Sequence, residues 1–362
     1  MSDFSALNLN SSQPSQPPDP DDELLRDYDN LFRIMYNYPP ALDNINIANA
    51  YTECKALIHL AGIYDALEVV GPRIDHHLLR FQGRLFKQIA KYPPSYLKLG
   101  FLARSKGIFA EALIHVVGQW PVPAPQLRGQ IDDSVLDLIE DKVDELEEIK
   151  AKVEAKLFRL TLTTSRGERV TPSNSFLDWL AMSLFRQWVA ENTTPAPVSI
   201  LKDTTSRQGS SHSTSTTAPT SSSALRPSHS RNGSSNPTSS SRSAPSAPAP
   251  PPPPSLTTGR IYRLLGSTSP SAYLPHDELK RFLKLSPELY TRENLRRFER
   301  RVDELKNLAR DAVKPLTRNF LELDLSATTG GNGGASGGTV MVGGLGYLTC
   351  TRVGDGDFPW DD

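Results

Sequence analysis

Histidine and cysteine side chains supply many of the nucleophiles, proton carriers and metal ligands of proteins, so their spacing indicates which chemistry a chain could do. The chain has 7 histidines and 2 cysteines among 362 residues. Cys54 and Cys350 are too far apart in sequence for a zinc spacing or a disulfide framework, which is typical of a reducing compartment. We expect Cys54 to be a small core residue on a helix face.

No pair of histidines has the spacing of a metal site. None lies four residues from another histidine or in a His-Glu-x-x-His frame. Two of them are adjacent and therefore point apart on a helix. We expect each histidine at the surface or at an interface rather than as a ligand; they are His59, His76, His77, His115, His212, His229 and His276.

Sequence motifs of known enzyme classes are also missing. There is no kinase motif set or dinucleotide fingerprint, and no Gly-Lys-Ser/Thr follows the glycines of residues 328–346. A catalytic triad is defined by geometry and not by order, so an enzyme stays an alternative that would need a deep pocket with convergent polar groups. We predict a protein that is not an enzyme, with no catalytic, cofactor-binding or metal-binding residues.

Composition gives no overall attraction to nucleic acid or to a membrane surface, because the formal net charge is −1. The sequence has no run of about 18 apolar residues. Its first residues lack the apolar core of a signal peptide. We therefore expect no membrane span, a cytoplasmic or nuclear location, and proteins rather than nucleic acid as partners.

Apolar residues recur at three- and four-residue spacing from residue 28 to residue 120, which is the pattern of helices that bury one face. Proline and glycine mark the ends of these helices, and Pro72 is expected in a first helical turn. The predicted helices span about residues 22–36, 47–66, 72–81, 84–91, 94–104 and 108–119, with a short strand or extended bridge at 42–45. The predicted fold class is mainly α.

Two long helices of opposite charge are predicted after this block. The first covers residues 132–162 and has a net charge of −6 between residues 132 and 156. The second, basic and coiled-coil-like, covers residues 291–313 with a net charge of +3 between residues 292 and 314, and ends before Pro315. Burial of both apolar seams would let the helices pack against each other. The alternative, that each packs separately on the core, stays open.

Changes in composition divide the chain into seven segments. Those with little apolar content cannot offset their chain entropy and are predicted to be disordered. A helix rich in aromatic residues is predicted at 176–191, after a weak capping box formed by Ser175 and Asp178, and a short helix at 276–285. The segments are a disordered tail (1–22), a helical domain (23–125), the acidic and aromatic helices (126–192), a disordered Ser/Thr/Pro linker (193–258), a C-terminal helical segment (259–326), a Gly-rich linker (327–346) and an acidic, aromatic tail (347–362). For this tail, docking onto the body and docking onto a partner are both open.

Two stretches of the helical domain resemble the C-terminal half of a BTB/POZ domain. They read YDNLFRIMYNYPP and NIANAYTECKALIHLAGIYDALEVVGPRIDHHLL. The helix pairs that follow resemble the helical extension of many BTB proteins, and the order of the blocks is similar to that of fungal BTB-type proteins. The N-terminal half of a BTB domain supplies a three-stranded sheet and the exchanged elements of the usual dimer. It has no counterpart in residues 1–22, and without it a BTB homodimer is not expected. Two explanations are open: sequence upstream of Met1 supplies this half, or the protein has lost it and covers the gap otherwise.

These patterns predict a protein-interaction scaffold or adaptor of BTB type. One alternative is a nuclear regulator that contacts nucleic acid or chromatin through the basic helix 292–314. Another, implied by the resemblance, is a substrate adaptor of a cullin-type ubiquitin ligase. The predicted partner-binding residues are apolar positions on the first helix and on the basic helix: Leu31, Phe32, Met35, Tyr36, Leu295, Phe298, Val302 and Leu305.

Overall fold

Nearly all of the regular structure is helical, which confirms the predicted mainly α fold class. The structure, a computed structural model, describes residues 20–194, 257–323 and 345–361. Within these ranges it has twelve α-helices and no strand, only an isolated bridge between Thr163 and Arg169. The helices are α1 (Pro20–Met35), α2 (Ile47–Ile63), α3 (Leu67–Leu79), α4 (Gly83–Lys91), α5 (Pro93–Leu102), α6 (Lys106–Gly118), α7 (Ala124–Leu127), α8 (Asp133–Phe158), α9 (Phe176–Thr193), α10 (Thr258–Gly266), α11 (His276–Leu283) and α12 (Arg292–Thr317).

Short polar side chains begin four of these helices by accepting hydrogen bonds from otherwise unpaired backbone amides. Asn46 caps α2, Ser105 caps α6, Asp132 caps α8 and Thr291 caps α12. The sequence predicts the cap at Thr291 correctly, and its acidic helix begins within one residue of the observed start. Capping residues therefore explain why helix starts agree better with the sequence than helix ends do.

Two prolines lie inside helices, which differs from the sequence prediction. Pro72 is in the middle of α3 and Pro315 is in the last turn of α12. A proline leaves the carbonyl four residues earlier without its helical donor. Those carbonyls belong to Glu68 and Asp311, which are exposed residues.

The link between α1 and α2 forms no strand. Residues 42–45 are instead held by the Asp43 side chain, which accepts hydrogen bonds from the amides of Ile45 at 2.7 Å and Asn46 at 2.9 Å. Asp43 also receives a bond from the Asn49 amide group at 3.1 Å. This turn leads directly into the cap of α2.

Helix α6 is the centre of the core, because it is buried on nearly every side. Its neighbour α5 approaches so closely that a Cβ on Gly100 would lie 2.8 Å from the backbone nitrogen of Phe109. In the same way, a Cβ on Gly71 of α3 would lie 2.6 Å from the carbonyl oxygen of Ala103. Glycine at these two positions therefore sets the close packing of α3, α5 and α6.

The acidic helix α8 and the basic helix α12 contact each other and run antiparallel. Lys156 lies near Asp311, and Arg301 donates to the carbonyl oxygen of Thr163, just beyond α8, at 2.6 Å. Within the described ranges, no ion pair within 4 Å joins an acid of α8 to a base of α12. The two helices are therefore neighbours without the ion pairs that their opposite charges suggest.

Cations of α12 are instead neutralised by a buried acid of α9. Arg297 lies 3.0 Å and Arg301 3.3 Å from the Asp178 carboxylate, which is buried. Burial alone would raise the pKa of Asp178, but the hydrogen bonds from Arg297 and Ser175 and the neighbouring guanidinium charges outweigh it and lower this pKa. The sequence interpretation of Asp178 as part of a capping box therefore misses its main partner.

Residues 345–361, here called the C-terminal segment, pack on the helical body. Phe358 and Trp360 contact the ring of Phe109, with centroids 6.1 and 5.1 Å away. Lys106 pairs with Asp361 at 2.5 Å, and the buried Lys142 pairs with Asp357 at 3.0 Å. Of the two alternatives for the tail, the structure shows the first, in which it docks onto the body of the same chain.

Contacts divide the chain into two units. The first contains residues 1–188 and 256–362 and therefore unites blocks that composition separates. The second contains residues 189–255, of which the structure describes residues 189–194, the end of α9 and the residue after it. In this end of α9, the Thr193 hydroxyl donates to the carbonyl oxygen of Val189 at 2.8 Å.

Candidate protein-docking surface

Helix α1 has one broad apolar side, and only part of this side is covered. Leu31 and Ile34 are buried, 1% and 2% exposed, where α1 packs on α2 and α3. The adjoining, uncovered side, here called the α1 outer face, consists of Leu25, Tyr28, Phe32, Met35 and Tyr36. Their spacing of three and four residues places them in one stripe along the helix.

The α1 outer face is open to solvent. Leu25 is 67%, Phe32 53%, Met35 46% and Tyr36 75% exposed. Tyr28 stacks on Phe32 with ring centroids 6.5 Å apart. A contiguous group of large exposed apolar side chains is uncommon on a monomer and marks interaction sites.

Polar contacts on the covered side and around α1 hold this face in place. The buried Asn30 accepts a hydrogen bond from the amide of Ala41 at 2.7 Å. Arg26 pairs with Glu53 of α2 at 3.2 Å, and Arg73 of α3 donates to the side chain of Asn37. The exposed stripe is therefore presented on a helix that is fixed at both ends.

One aromatic residue directly after α2 extends the stripe. The ring of Tyr64 meets that of Tyr28 edge to face at 6.1 Å, and the two hydroxyl groups are 3.2 Å apart. This hydrogen bond raises the pKa of Tyr28. Leu25, Tyr28 and Tyr64 are missing from the site predicted by sequence. The first two could have been found by extending the spacing of Phe32 and Met35, whereas Tyr64 depends on how α1 packs on α2.

The rim of the face is acidic. Between Asp22 and Met35 the helix has four acids and two arginines, a net charge of −2. Both arginines are already paired, Arg26 with Glu53 and Arg33 with Asp29. An apolar partner surface with basic residues at its edge would complement this face.

Four of the eight predicted partner-binding residues lie in the core of the chain. Leu31 packs beneath α1, and Phe298, Val302 and Leu305 are fully buried along α12. Phe298, for example, stacks on Phe282 of α11 with centroids 6.0 Å apart. These side chains contact the chain itself because α8, α10 and α11 cover the seam of α12.

The other four predicted residues are accessible. Phe32, Met35 and Tyr36 lie together on the α1 outer face. Leu295 is half-buried in α12 and lines a separate cleft of about 410 Å³ with Tyr290 and other residues. The structure therefore brings together three of the predicted residues at one surface.

A buried polar cluster is the other arrangement that could do chemistry. Glu111 and His115 lie one turn apart on α6. The Nδ1 atom of His115 is 2.8 Å from the hydroxyl oxygen of Tyr347. The Glu111 carboxylate accepts hydrogen bonds from the amides of Glu322 at 2.8 Å and Leu323 at 3.2 Å. This carboxylate is therefore occupied by the backbone that follows α12, so the arrangement serves to anchor chain segments.

Two histidines and both cysteines are core residues. His115 and His77 are buried, which corrects their expected place at the surface or an interface. Burial raises the pKa of the Cys54 thiol to about 12 and that of Cys350 to about 11, so both stay protonated and unreactive near neutral pH. The predicted core position of Cys54 is confirmed. Among the described residues, no group of three or more His, Cys, Asp or Glu side chains could hold a metal ion.

Fold and surface together define a mainly α-helical protein with an exposed apolar helix face. Comparisons of the chain with protein-family models, with curated proteins and with solved structures find no match. In the described ranges, no helix combines the length and the apolar character needed to cross a membrane.

Proposed function

We propose that the chain is a non-enzymatic scaffold or adaptor of BTB type that binds another protein through the α1 outer face. The observation that carries this proposal is the exposed stripe of Leu25, Phe32, Met35 and Tyr36 on a helix held firmly from behind. Aromatic and methionine side chains are enriched in protein interfaces, where a few of them supply most of the binding free energy.

The resemblance to BTB/POZ domains supports the same surface. In that fold, the first helix of this block has packing partners in the N-terminal half of the domain. In this structure Phe32 and Tyr36 on that helix are exposed, so the same face is accessible to a partner. The BTB assignment is itself part of the proposal.

Charge favours a different protein over a second copy as the partner. The acidic rim of one α1 outer face would repel that of another copy, whereas a basic rim on a partner would attract it. We therefore expect a partner with an apolar groove or patch bordered by lysine or arginine. We expect the purified chain to be a monomer in sedimentation experiments.

Affinity purification of the full chain from its native cells, quantified by mass spectrometry, tests the proposal. The triple variant Phe32→Ser, Met35→Ser, Tyr36→Ser should lose at least about tenfold of the principal partner, because hot-spot residues each contribute about 2 kcal/mol or more. A matched control replaces Val122 and Leu285 by serine, two apolar residues that are exposed elsewhere, 76% and 77%. An unchanged set of partners in the triple variant would refute the α1 outer face as the binding surface.

Nucleic-acid binding through the basic helix has less support. Arg297 and Arg301 neutralise Asp178, Lys306 donates to the carbonyl oxygens of Pro270 and Leu274, and Arg310 donates to Ser267. These cations already have partners inside the chain, so few are left for phosphates. Nothing in the geometry favours a cullin-type adaptor over other scaffolds, and that role stays an expectation of the resemblance.

A further inference from the structure

A second open surface lies between α2 and α5, here called the α2/α5 groove. It encloses about 800 Å³. Its α2 wall extends from Tyr51 to Ile63, about 18 Å at 1.5 Å per helical residue. Its α5 wall extends from Ser95 to Leu102, about 10 Å at the same rise. The two walls are therefore about three and about two helical turns long.

The centre of the groove is apolar and includes space that no side chain fills. Ile58 and Leu99 form part of its lining, and Ile63 and Leu102, 66% and 42% exposed, stand at its rim. Gly62 also lines it, and a Cβ added at Gly62 would meet no atom within 4 Å. The groove thus has room directly above α2 for an apolar side chain from another molecule.

The groove is also cationic. Its fourteen lining residues include Lys55, Lys98 and His59 and no acid. Among the described residues, neither lysine lies within 4 Å of a carboxylate. Burial, followed by the charge of Lys55, lowers the pKa of Lys98. A carboxylate placed between the two ammonium groups would relieve this repulsion.

We propose that the α2/α5 groove binds an amphipathic helix of a partner protein, with apolar side chains seated over Gly62 and Leu99 and carboxylates beside Lys55 and Lys98. Walls of about two and three helical turns are long enough for apolar anchors at positions i, i+3 or i+4 and i+7, the spacing that helix-in-groove binding uses. The lining charge selects acidic over basic helices. This inference rests on the proposed scaffold function and adds a second surface to it, with partner chemistry opposite to that expected at α1.

Selection of displayed helical peptides against the full chain tests this inference. Peptides are selected on the wild-type chain and counter-selected on Gly62→Trp, whose indole would fill the groove. The enriched peptides should have apolar residues at positions i, i+3 or i+4 and i+7 flanked by Asp or Glu. Each peptide should bind the Gly62→Trp variant at least tenfold more weakly than it binds the wild-type chain. The same loss is expected for the double variant Lys55→Glu, Lys98→Glu. Binding to the wild-type chain should weaken as the salt concentration is raised.

Control variants make every outcome decisive. Gly62→Ala, which leaves the groove open, should keep the affinity within about twofold, and the triple serine variant of α1 should keep it as well. Enrichment of basic peptides, equal binding to the variant with reversed charges, or failure to enrich any peptide would overturn the inference. If Gly62→Trp does not fold, as judged by circular dichroism, the lysine variant decides alone. Peptides lost in the α1 variant but kept in both groove variants would refute the groove and leave the proposed function standing.

Discussion

The α1 outer face and the C-terminal segment both have a high content of aromatic residues, yet only one of them is covered. Phe358 of the C-terminal segment is 7% exposed, whereas Phe32 of α1 is 53% exposed. Phe358 and Trp360 pack on rings of α5 and α6. Phe32 stacks on Tyr28 of its own helix, and Tyr36 is 75% exposed. Aromatic content alone therefore does not show whether a segment is bound within the chain.

Charged partners on the opposing helices make the difference between the two regions. Lys106 and Lys142 project from α6 and α8 to Asp361 and Asp357 of the C-terminal segment. Arg263 of α10 donates to two of its backbone carbonyl oxygens. The α1 outer face has no comparable group opposite it among the described residues. Such polar contacts fix the position in which a short segment buries its rings.

The largest effect is expected when the covered and the open phenylalanine are compared directly. Phe358→Ala should lower the free energy of unfolding by about 3 kcal/mol, because it leaves a cavity against Phe109. Phe32→Ala, the matched control, should change it by less than about 0.5 kcal/mol, as surface substitutions do. Urea unfolding followed by circular dichroism measures both values. Equal losses would show that the two faces are covered alike, contrary to the comparison.

Removal of a buried anchor should release the chain that follows α12. Glu111→Ala leaves the amides of Glu322 and Leu323 without their acceptor, which should cost about 2–3 kcal/mol. Hydrogen exchange should show faster exchange at these two amides than in α2. Glu140→Ala, which removes an exposed ion pair with Arg128, is the control and should cost less than about 0.5 kcal/mol. Unchanged protection at the two amides would contradict the anchoring role.

Because Asp178 is a buried, ionised carboxylate, we predict that the stability of the fold depends on pH in the acidic range. The pKa of this carboxyl is below its ordinary value of 3.8 in the folded chain, so its contribution to stability is present above pH 3.8 and is lost as the pH falls through the lowered value. Asp178→Asn should lower the free energy of unfolding by about 2 kcal/mol at pH 7. The difference from wild type should shrink as the pH falls below 3.8. A difference that is constant down to pH 2 would exclude the linkage.

The smallest effect is expected at an open glycine. Gly62→Ala should raise the free energy of unfolding by up to about 0.5 kcal/mol, because alanine is the better helix former and its Cβ meets nothing. Gly100→Ala is the packed counterpart and should lower it by about 1–3 kcal/mol, since its Cβ would press on the backbone of Phe109. Thermal unfolding of both variants checks the signs. Stabilisation by both would mean that the α5–α6 contact is looser than the structure has it.

Periodicity and capping residues predict the helices well, because both depend on neighbours within one or two turns. The cap at Thr291 and the apolar seam through Phe298 are two examples. The extent of a helix is harder to predict: α3 begins at Leu67, before its predicted start at Pro72, and α12 continues through Pro315. Which apolar face stays open is not a local property. Leu31 and Phe32 are adjacent and alike in sequence, and only the packing of α2 and α3 distinguishes them.

Which charged and polar groups pair with each other inside the fold also cannot be predicted from the sequence. The pattern of opposite charges suggests that α8 and α12 attract each other, but Arg297 and Arg301 find Asp178 instead. The contact between Glu111 and the amides of Glu322 and Leu323 spans more than 200 residues. No spacing rule connects groups so far apart, so the buried polar cluster could not be found from motifs.

The long sequence separation of the C-terminal contacts has a consequence for refolding. Lys106 and Asp361 are 255 positions apart, and His115 and Tyr347 are 232 apart. Contacts between such distant residues form slowly, because large loops must close first, whereas the local hairpin of α5 and α6 can form early. We expect the rings of Phe101 and Phe109 to stay uncovered until late in folding. During that interval the chain is open to association with other unfolded chains, so the yield of refolding should fall steeply with protein concentration.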